Sequence, residues 1–305
     1  MLNKKIVEPK VAVIVAVYNG AKWIEEQFHS ILKQEEMDVT VWISIDSSQD
    51  KSEILCNQFL KQHENIATLP SQGAFGSASK NFFRLIRDVD LCGIDYMALS
   101  DQDDIWLPNK LNHAIKMIET NNLDAYSSNV TAFWPNGKQK LINKAQPQQQ
   151  WDYMFESAGP GCTFVITKKL ALAIQLFLIE NQKACRHVAL HDWFIYAYAR
   201  SRGFKWIIDP TSHMLYRQHA ENVVGANVGF KAKTARWKKL REGWLINQAL
   251  LIANLLGYDD AWPIQKLKRY HFLDRLALIA NVKKLRRRFR DRIALVIFLL
   301  LPLKK

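Results

Sequence analysis

Strand and helix signals alternate along the first 130 residues, and this alternation constrains the fold more than any other feature of the chain. The run VAVIVAV at 11–17 is apolar and largely β-branched, the pattern of a strand buried on both faces. It ends at Tyr18-Asn19-Gly20, which is a turn signal. Apolar residues then recur at helical spacing at Ile24, Phe28, Ile31 and Leu32.

The same alternation continues to residue 120. Further strands are predicted at 39–45, 65–70 and 95–100, with helices between them around 54–60 and 81–87 and another that opens at Pro108. Such a pattern forms right-handed βαβ units around a largely parallel sheet. We therefore predict an α/β fold whose ligands bind beyond the carboxyl ends of the strands.

Three carboxylates, Asp101, Asp103 and Asp104, directly follow the strand predicted at 95–100. Carboxylates this close together repel one another, and Mg²⁺ or Mn²⁺ relieves that repulsion while it binds phosphate oxygens of a substrate. The alternative is that Asp103 or Asp104 caps the helix near Pro108.

Asp46 follows the strand predicted at 39–45 in the same way. A carboxylate at this position accepts hydrogen bonds from a nucleobase or a ribose, or alternatively forms an Asx turn with Ser47 and Ser48. The sequence contains no GxGxxG after the first strand and no GxxxxGK[ST], so neither the usual dinucleotide fold nor a P-loop is supported.

Composition indicates a folded protein of a reducing compartment. Hydrophobic residues make up 49% of the 305, enough for a sizeable core, and the four cysteines are far apart with no CxxC pair. The N-terminus lacks the apolar region of a signal peptide and no apolar run is long enough to span a bilayer, so we expect neither secretion nor a conventional transmembrane segment.

The net charge of +13 belongs to the C-terminal region. Residues 231–305 contain 19 Lys and Arg against 5 Asp and Glu, and a basic cluster at 283–292 borders the apolar run 293–303. This pattern suits a segment that lies on an anionic membrane surface. The alternative is a packed C-terminal helix with a solvated basic face. Nucleic acid is not an expected partner, because aromatic residues are scarce among the charges.

Four stretches in order resemble the donor half of a glycosyltransferase family 2 enzyme with the GT-A fold: VAVIVAVYNGAKWIEEQFHSIL, SIDSSQDKS, FGSASKNFFRLI and LSDQDDIWLPNKL. The resemblance implies a GT-A domain at 1–230, with a nucleotide-sugar half at 1–130 and an acceptor half at 131–230. A basic helical C-terminal region at 231–305 follows it.

Site residues follow from the resemblance. It implies that Tyr18 faces the base, that Asp46 bonds the base or ribose, and that Asp101 and Asp103 hold the divalent metal, Mg²⁺ or Mn²⁺. The expected donor-binding residues are Ala16, Tyr18, Asp46, Gly76, Asn81, Asp101 and Arg217.

The second half offers an acceptor site and a base. The small-residue loop at 159–161 allows close approach of a sugar, or is an ordinary turn before a strand. Inverting transfer needs a carboxylate to take the proton of the acceptor hydroxyl. Asp192 is the candidate, with helix capping as its alternative role. Gly161, His191 and Trp193 are the expected acceptor-binding residues.

Arg217 and His219 lie on a predicted strand and the loop after it. The guanidinium of Arg217 suits phosphate oxygens. His219 is a candidate third metal ligand or a partner for the leaving diphosphate, although a single histidine is more often an ordinary surface or core residue.

The stretches DQDDIW, HDW and YRQH resemble those of bacterial rhamnosyltransferases that build O-antigen or capsular polysaccharide. This resemblance implies a dTDP-rhamnose donor, with a UDP-sugar as the other candidate, and a glycan or lipid-linked glycan acceptor at the cytoplasmic face of the membrane. Two other classes stay open: a sugar-nucleotide-forming nucleotidyltransferase and a non-catalytic glycan-binding or membrane-binding protein.

Overall fold

The structure of the protein is a computed structural model that describes residues 8–219 and 243–301. The strands in these ranges are β1 (Lys10–Val17), β2 (Asp38–Ile45), β3 (Ile66–Thr68), β4 (Tyr96–Ser100), β5 (Ile105–Trp106), β6 (Ala125–Ser128), β7 (Val130–Phe133), β8 (Gln139–Ile142), β9 (Val165–Thr167), β10 (Trp206–Asp209) and β11 (Met214–Arg217). The helices are α1 (Ile24–Leu32), α2 (Ser52–Gln62), α3 (Ala78–Asp88), α4 (Lys110–Thr120), α5 (Lys168–Glu180), α6 (Gln182–Cys185), α7 (His191–Ser201), α8 (Trp244–Leu256), α9 (Trp262–Arg269), α10 (Phe272–Ala280), α11 (Val282–Leu285) and α12 (Phe289–Leu300).

A seven-stranded sheet with the order β10-β6-β9-β4-β1-β2-β3 forms the centre of the molecule. Its strand pairs are parallel except those of β9, which runs antiparallel to both β4 and β6. The predicted α/β fold with a mostly parallel sheet is thus confirmed. A second sheet, β5-β11-β7-β8, extends from it.

The strand ends gather the candidate residues at one edge of the central sheet. Val17 pairs with Ile45, and Val15 pairs with Ser100, so β1, β2 and β4 finish close together. Because β9 runs in the opposite direction, the turn before it, a short 3-10 helix at Gly161–Thr163, lies at the same edge. The small-residue loop at 159–161 therefore lies at the same edge as the donor residues, because β9 runs antiparallel to its neighbours.

Two predicted boundaries differ from the structure at prolines. The helix expected to open at Pro108 begins at Lys110, because Pro108 lies in a turn that the Lys110 N–H closes on the Leu107 carbonyl. The strand expected at 65–70 ends at Thr68, two residues before Pro70, which has no N–H to continue the ladder.

The C-terminal helices pack on the rest of the described chain. Their buried residues Leu245, Ile252 and Leu295 belong to the same apolar core cluster as Phe194 of α7. Arg287, between α11 and α12, is buried and donates to the buried carboxylate of Asp152 at 2.9 Å. One face of this region is therefore core, as the packed-helix alternative predicts. No helix in the described ranges combines the length and apolar character needed to cross a bilayer.

Candidate active site

The turn after β1 is held by a side chain from the acidic loop after β4. The Gln102 amide accepts a hydrogen bond from the Tyr18 N–H at 2.8 Å and donates to the Tyr18 carbonyl at 2.7 Å. Gly20 lies against this amide, and a Cβ there would meet the Gln102 Oε1 at 2.3 Å. The Tyr18 backbone is consequently held in place, while the Tyr18 ring stays exposed at the sheet edge.

Asp46 organises the loop between β3 and α3. It is buried, and its carboxylate accepts hydrogen bonds from the backbone N–H groups of Phe75 at 2.7 Å and Gly76 at 3.0 Å. Gly76 has φ +72°, which favours glycine because it carries no Cβ. The buried Asn81 amide donates to the Ser44 carbonyl at 3.0 Å, below the same loop. The structure therefore brings together Tyr18, Asp46, Gly76 and Asn81, and Ala16 of β1 pairs with Ser44, the residue that Asn81 contacts.

Acidic groups cluster at the end of β4. One ligand atom each from Asp101, Asp104 and Cys162 lie within 4.8 Å of one another. Burial raises the pKa of Asp101 to about 7, and the charges of Asp103 and Asp192 add to the rise. The pKa of Asp104, which is fully buried, is raised by burial and by the charges of Asp103 and Asp101. The cluster thus carries unfavourable negative charge.

Lys110 reaches this cluster from the start of α4. Its ammonium lies 3.4 Å from the centroid of the Trp106 ring and makes no hydrogen bond to the described residues. Burial lowers its pKa to about 7, although Cys162 and Asp104 oppose that shift. Because the pKa is lowered, Lys110 is charged in only part of the molecules near pH 7 and offsets the negative charge of the cluster only in part.

Asp103 contacts His219, the other residue that the sequence predicts as a metal ligand beside it. The Asp103 Oδ2 and the His219 Nε2 are 2.6 Å apart, and the imidazole stacks on Trp23 with ring centroids 4.0 Å apart. Trp23 therefore fixes the ring plane that faces the carboxylate.

Arg217 supports the acidic loop from β11. Its Nε donates to the Asp103 carbonyl at 2.7 Å, its Nη2 contacts Glu26, and its backbone N–H donates to Asp104 at 3.1 Å. In this arrangement the guanidinium positions the backbone of Asp103, whereas the sequence suggested a direct phosphate contact.

Asp192 lies in the first turn of α7 and faces the acidic loop across the edge. Its Oδ1 accepts the backbone N–H of Trp193 at 2.7 Å. Burial raises its pKa to about 6, opposed by hydrogen bonds from Trp193 and Ser157 and by the charge of Lys144. A carboxylate with this pKa is deprotonated near neutral pH and retains enough basicity to accept a proton.

His191 precedes the candidate base and packs against the small-residue loop. Its ring stacks on Phe82 with centroids 4.0 Å apart, and its buried Nε2 has no hydrogen-bond partner among the described residues. Burial lowers the pKa of His191 to about 3, so the ring is neutral near pH 7. A Cβ on Gly161 would lie 2.6 Å from that Nε2 and 3.3 Å from the Asp192 Cβ. The glycine therefore permits the close approach of loop and base.

Replacing Gly161 with Ala tests this contact. We expect Gly161→Ala to cost about 1–3 kcal/mol in free energy of unfolding, because Phe82 limits how far the His191 ring can move away. The penalty should shrink in a His191→Ala background, since the colliding atom is gone. Urea unfolding of the wild type, both single variants and the double variant measures it. Equal penalties in both backgrounds would contradict the contact.

Trp193 is not an acceptor-binding residue, which corrects the sequence prediction. It is 2% exposed, and its indole N–H donates to the Tyr153 carbonyl at 2.9 Å. Consecutive helical residues point about 100° apart. When Asp192 faces the edge, Trp193 therefore turns into the core.

The side chains at this edge suit a divalent cation. The charge of Asp103 raises the pKa of Asp101, and a buried Oδ2 of Asp104 has no hydrogen-bond partner in the described ranges. Carboxylate oxygens are the ligands that Mg²⁺ and Mn²⁺ prefer, and a cation would relieve the mutual repulsion. The ligand atoms of Asp101, Asp104 and Cys162 thus fit a metal, and the predicted ligands Asp103 and His219 contact each other beside them.

Sequence reasoning missed three contributors to the site: Gln102, Lys110 and Cys162. Gln102 acts on a backbone 84 residues away, which no local pattern reveals. Lys110 looks like an ordinary helix-surface residue but is buried. For these three residues, the sequence offered one indication of a role in the site: Cys162 directly follows Gly161, which was predicted to bind the acceptor.

The chain is similar to known proteins in sequence and in fold. A family model described as "Glycosyl transferase family 2" matches residues 12–173. The chain is 45% identical over 288 residues to dTDP-rhamnosyl transferase RfbG of Shigella flexneri, covering 94% of this chain and 99% of that protein.

Solved structures share the fold. TarS of S. aureus in complex with UDP-GlcNAc superposes with a TM-score of 0.52 at 13% identity, covering 94% of this chain and 84% of that one. A mannosyltransferase of Pyrobaculum calidifontis in complex with GDP-Man and Mn²⁺ gives a TM-score of 0.52 at 15% identity, covering 96% and 85%. With the family model and the extended sequence identity, these findings show that the chain belongs to glycosyltransferase family 2, with the GT-A fold.

Proposed function

We propose that the protein is a metal-dependent, inverting rhamnosyltransferase that uses dTDP-rhamnose and glycosylates a lipid-linked glycan. The observation that carries the proposal is the position of Asp192, whose Cβ lies 3.3 Å from the place a Cβ on Gly161 would take, while the next residue, Cys162, belongs to the acidic cluster with Asp101 and Asp104. A candidate base and a candidate diphosphate site therefore lie close enough together to act on one sugar.

The donor side is built from the ends of β1 and β2. Tyr18 offers an exposed ring for the base, and the loop that Asp46 holds through Phe75 and Gly76 closes beside it. Ala16 and Asn81 complete the floor, where the buried Asn81 Oδ1 has no hydrogen-bond partner among the described residues. That oxygen is available to an N–H of the nucleotide.

Asp101, Asp103 and His219 would hold the cation, which when bound neutralises the charge that develops on the leaving diphosphate. Arg217 fixes the Asp103 backbone and so positions that carboxylate. Trp23 orients His219 by stacking. These contacts keep the carboxylates in place before the donor arrives.

Asp192 takes the proton from the acceptor hydroxyl. The acceptor oxygen forms a bond to the anomeric carbon as the bond from that carbon to the diphosphate oxygen breaks, and the configuration inverts. Gly161 lets the loop approach closely, and the neutral His191 lies beside it on the acceptor side.

The proposed donor and acceptor draw on relatives. The 45% identical protein is named a dTDP-rhamnosyl transferase. A relative from Escherichia coli, 26% identical over 164 residues, is named a glucosyltransferase that acts on a diphosphoundecaprenol-linked sugar. A substrate of that kind is membrane-bound, so we place this protein at the cytoplasmic face of the cell membrane.

Nothing at the turn after β1 favours the nucleotidyltransferase alternative. The N–H groups of Asn19, Gly20 and Ala21 donate to Ser48, Ser52 and Asp50 respectively. They are therefore already used, whereas an enzyme that binds a triphosphate needs such groups to face the ligand.

Donor turnover by the purified protein tests the proposal. We expect slow hydrolysis of dTDP-rhamnose with Mn²⁺ or Mg²⁺, weaker turnover of UDP-sugars and GDP-sugars, and none with EDTA. A lipid-linked glycan should accelerate turnover and yield a product of inverted configuration. Preference for another donor would contradict the assigned sugar, and retention of configuration would contradict the role of Asp192.

A further inference from the structure

Two adjacent C-terminal helices expose apolar side chains to solvent. On α12, Phe289, Ile293 and Ile297 are exposed at i, i+4 and i+8, and Leu300 and Leu301 continue the stripe. On α10, Phe272, Leu273 and Leu276 are exposed on one face. Phe289 is 73% and Leu273 74% exposed, which is unusual for side chains of this size.

The opposite faces of the same helices are buried. Leu295, Phe298 and Leu299 of α12 and Leu278 of α10 belong to the main core cluster. The exposed stripes therefore remain after the helices have packed, so folding of the described chain does not account for them.

Arg275 links the two stripes. Its guanidinium lies 5.8 Å from the Phe272 ring centroid and donates to the Leu299 carbonyl at 3.1 Å. The start of the α10 stripe and the end of the α12 stripe therefore lie near one side chain, and together they form one surface, which we call the α10–α12 surface.

Positive charge surrounds this surface. Residues 243–301 contain 11 Lys and Arg against 4 Asp and Glu. Exposed cations flank the two stripes along the chain: Lys268, Arg269, Lys283, Lys284 and Arg290. Two of the acids are already paired, since Asp274 contacts Lys266 and Arg269, and Asp291 contacts Arg290.

We infer that the α10–α12 surface docks on an anionic phospholipid bilayer. Apolar side chains flanked by Lys and Arg match the acyl boundary and the head groups respectively. A second copy of the chain would fit less well, because two such surfaces would bring their cations together. The inference deepens the proposed function. It rests on that function in one respect only: a lipid-linked acceptor is the reason why the protein would dock on a membrane.

The surface begins beside the acceptor side of the active site. Arg287, two residues before Phe289, donates to the Ser157 carbonyl, and the Ser157 hydroxyl bonds Asp192. A bilayer at the start of α12 therefore lies close to the loop that supports the base, which is where a membrane-bound acceptor hydroxyl must enter.

Vesicle flotation of the full chain, without substrates, tests the inference. We expect binding to vesicles containing phosphatidylglycerol, at least tenfold weaker binding to pure phosphatidylcholine, and weakening by salt. Replacing Phe272, Leu273, Phe289 and Ile293 with Ser should lower the partition coefficient at least tenfold. The matched control replaces Ile54, Leu141, Leu176 and Ile179, which are also exposed, and should bind like wild type.

A charge series separates the electrostatic contribution. Replacing Lys283, Lys284 and Arg290 with Gln should reduce the preference for anionic lipid, whereas Gln at the exposed Lys61, Lys140 and Lys183 should not. Equal loss in test and control sets, or a wild type that does not float, would overturn the inference. So would a dimer in light scattering that the four Ser changes dissolve.

Two separate measurements distinguish an error in the docking surface from an error in the proposed function. Hydrolysis of dTDP-rhamnose without vesicles should be unchanged in the Ser variant, because its four sites lie outside the donor residues. An active enzyme that ignores vesicles would reject only the docking surface. A vesicle-bound protein without donor turnover would reject only the assigned chemistry.

Discussion

Asp192→Asn should lower kcat for glycosyl transfer by about 10²–10⁴, the usual contribution of a general base. The amide is isosteric and can still accept the Trp193 N–H and the Ser157 hydroxyl, so α7 should begin as before. The amide cannot accept a proton from the acceptor. Initial rates with saturating donor and acceptor measure the effect.

Donor binding provides the control for this variant. The dissociation constant for dTDP-rhamnose should change little, because Asp192 acts on the acceptor. Asp90→Asn at an exposed surface turn should leave kcat unchanged. A loss of less than about threefold in Asp192→Asn would remove Asp192 from the role of base.

The same residue predicts the acidic limb of the pH profile. Burial raises the pKa of Asp192 to about 6. Since a base acts only when deprotonated, kcat/KM should rise with pH through about 6 and then level off. Wild-type rates from pH 5 to 8 measure this limb, which should be absent from the residual activity of Asp192→Asn.

Asp103→Asn should reduce metal-dependent donor turnover by about 10²–10³. Electrostatic stabilisation by a metal is worth several kcal/mol, and each 1.36 kcal/mol corresponds to a factor of ten. Asp103 also contacts His219, so one change removes two expected interactions of the site. Donor hydrolysis across a Mn²⁺ titration measures the loss.

Metal binding gives a second measurement that does not depend on turnover. Free Mn²⁺ followed by electron paramagnetic resonance should show binding by wild type with dTDP, at least tenfold weaker binding by Asp103→Asn, and a smaller loss in His219→Gln. Asp90→Asn again serves as the matched control. Wild-type turnover in EDTA would contradict the metal assignment.

Local pattern was sufficient for the donor half. The run at 11–17 could only be a buried strand, and the turn at Tyr18 and the carboxylates Asp46 and Asp101 come directly after their strands. Because parallel strands end at a common edge, these residues had to meet there. The metal pair was predicted from the crowded carboxylates and from the resemblance, the base from the chemistry of inverting transfer and from the resemblance, and both stay predictions.

Local sequence pattern did not predict contacts between residues far apart in the chain. It also did not predict whether a side chain points into the core or toward the sheet edge. Trp193 and Asp192 are neighbours in sequence, yet helix rotation sends one into the core. Gln102 lies between two flagged carboxylates, but only the fold places its amide on Tyr18. Arg217 stays a predicted phosphate ligand, but only the fold shows that its guanidinium also contacts Glu26 and the Asp103 carbonyl.

The sequence by itself determined the alternation of strands and helices over residues 11–120, the sheet edge at which Tyr18, Asp46 and Asp101 gather, and the concentration of positive charge at the C-terminus, because these depend on periodicity and composition. Only the tertiary structure decided that β9 reverses to bring Gly161 to that edge. It also decided which faces of α10 and α12 remain outside the core. Packing between distant segments sets both features, and no local pattern encodes it.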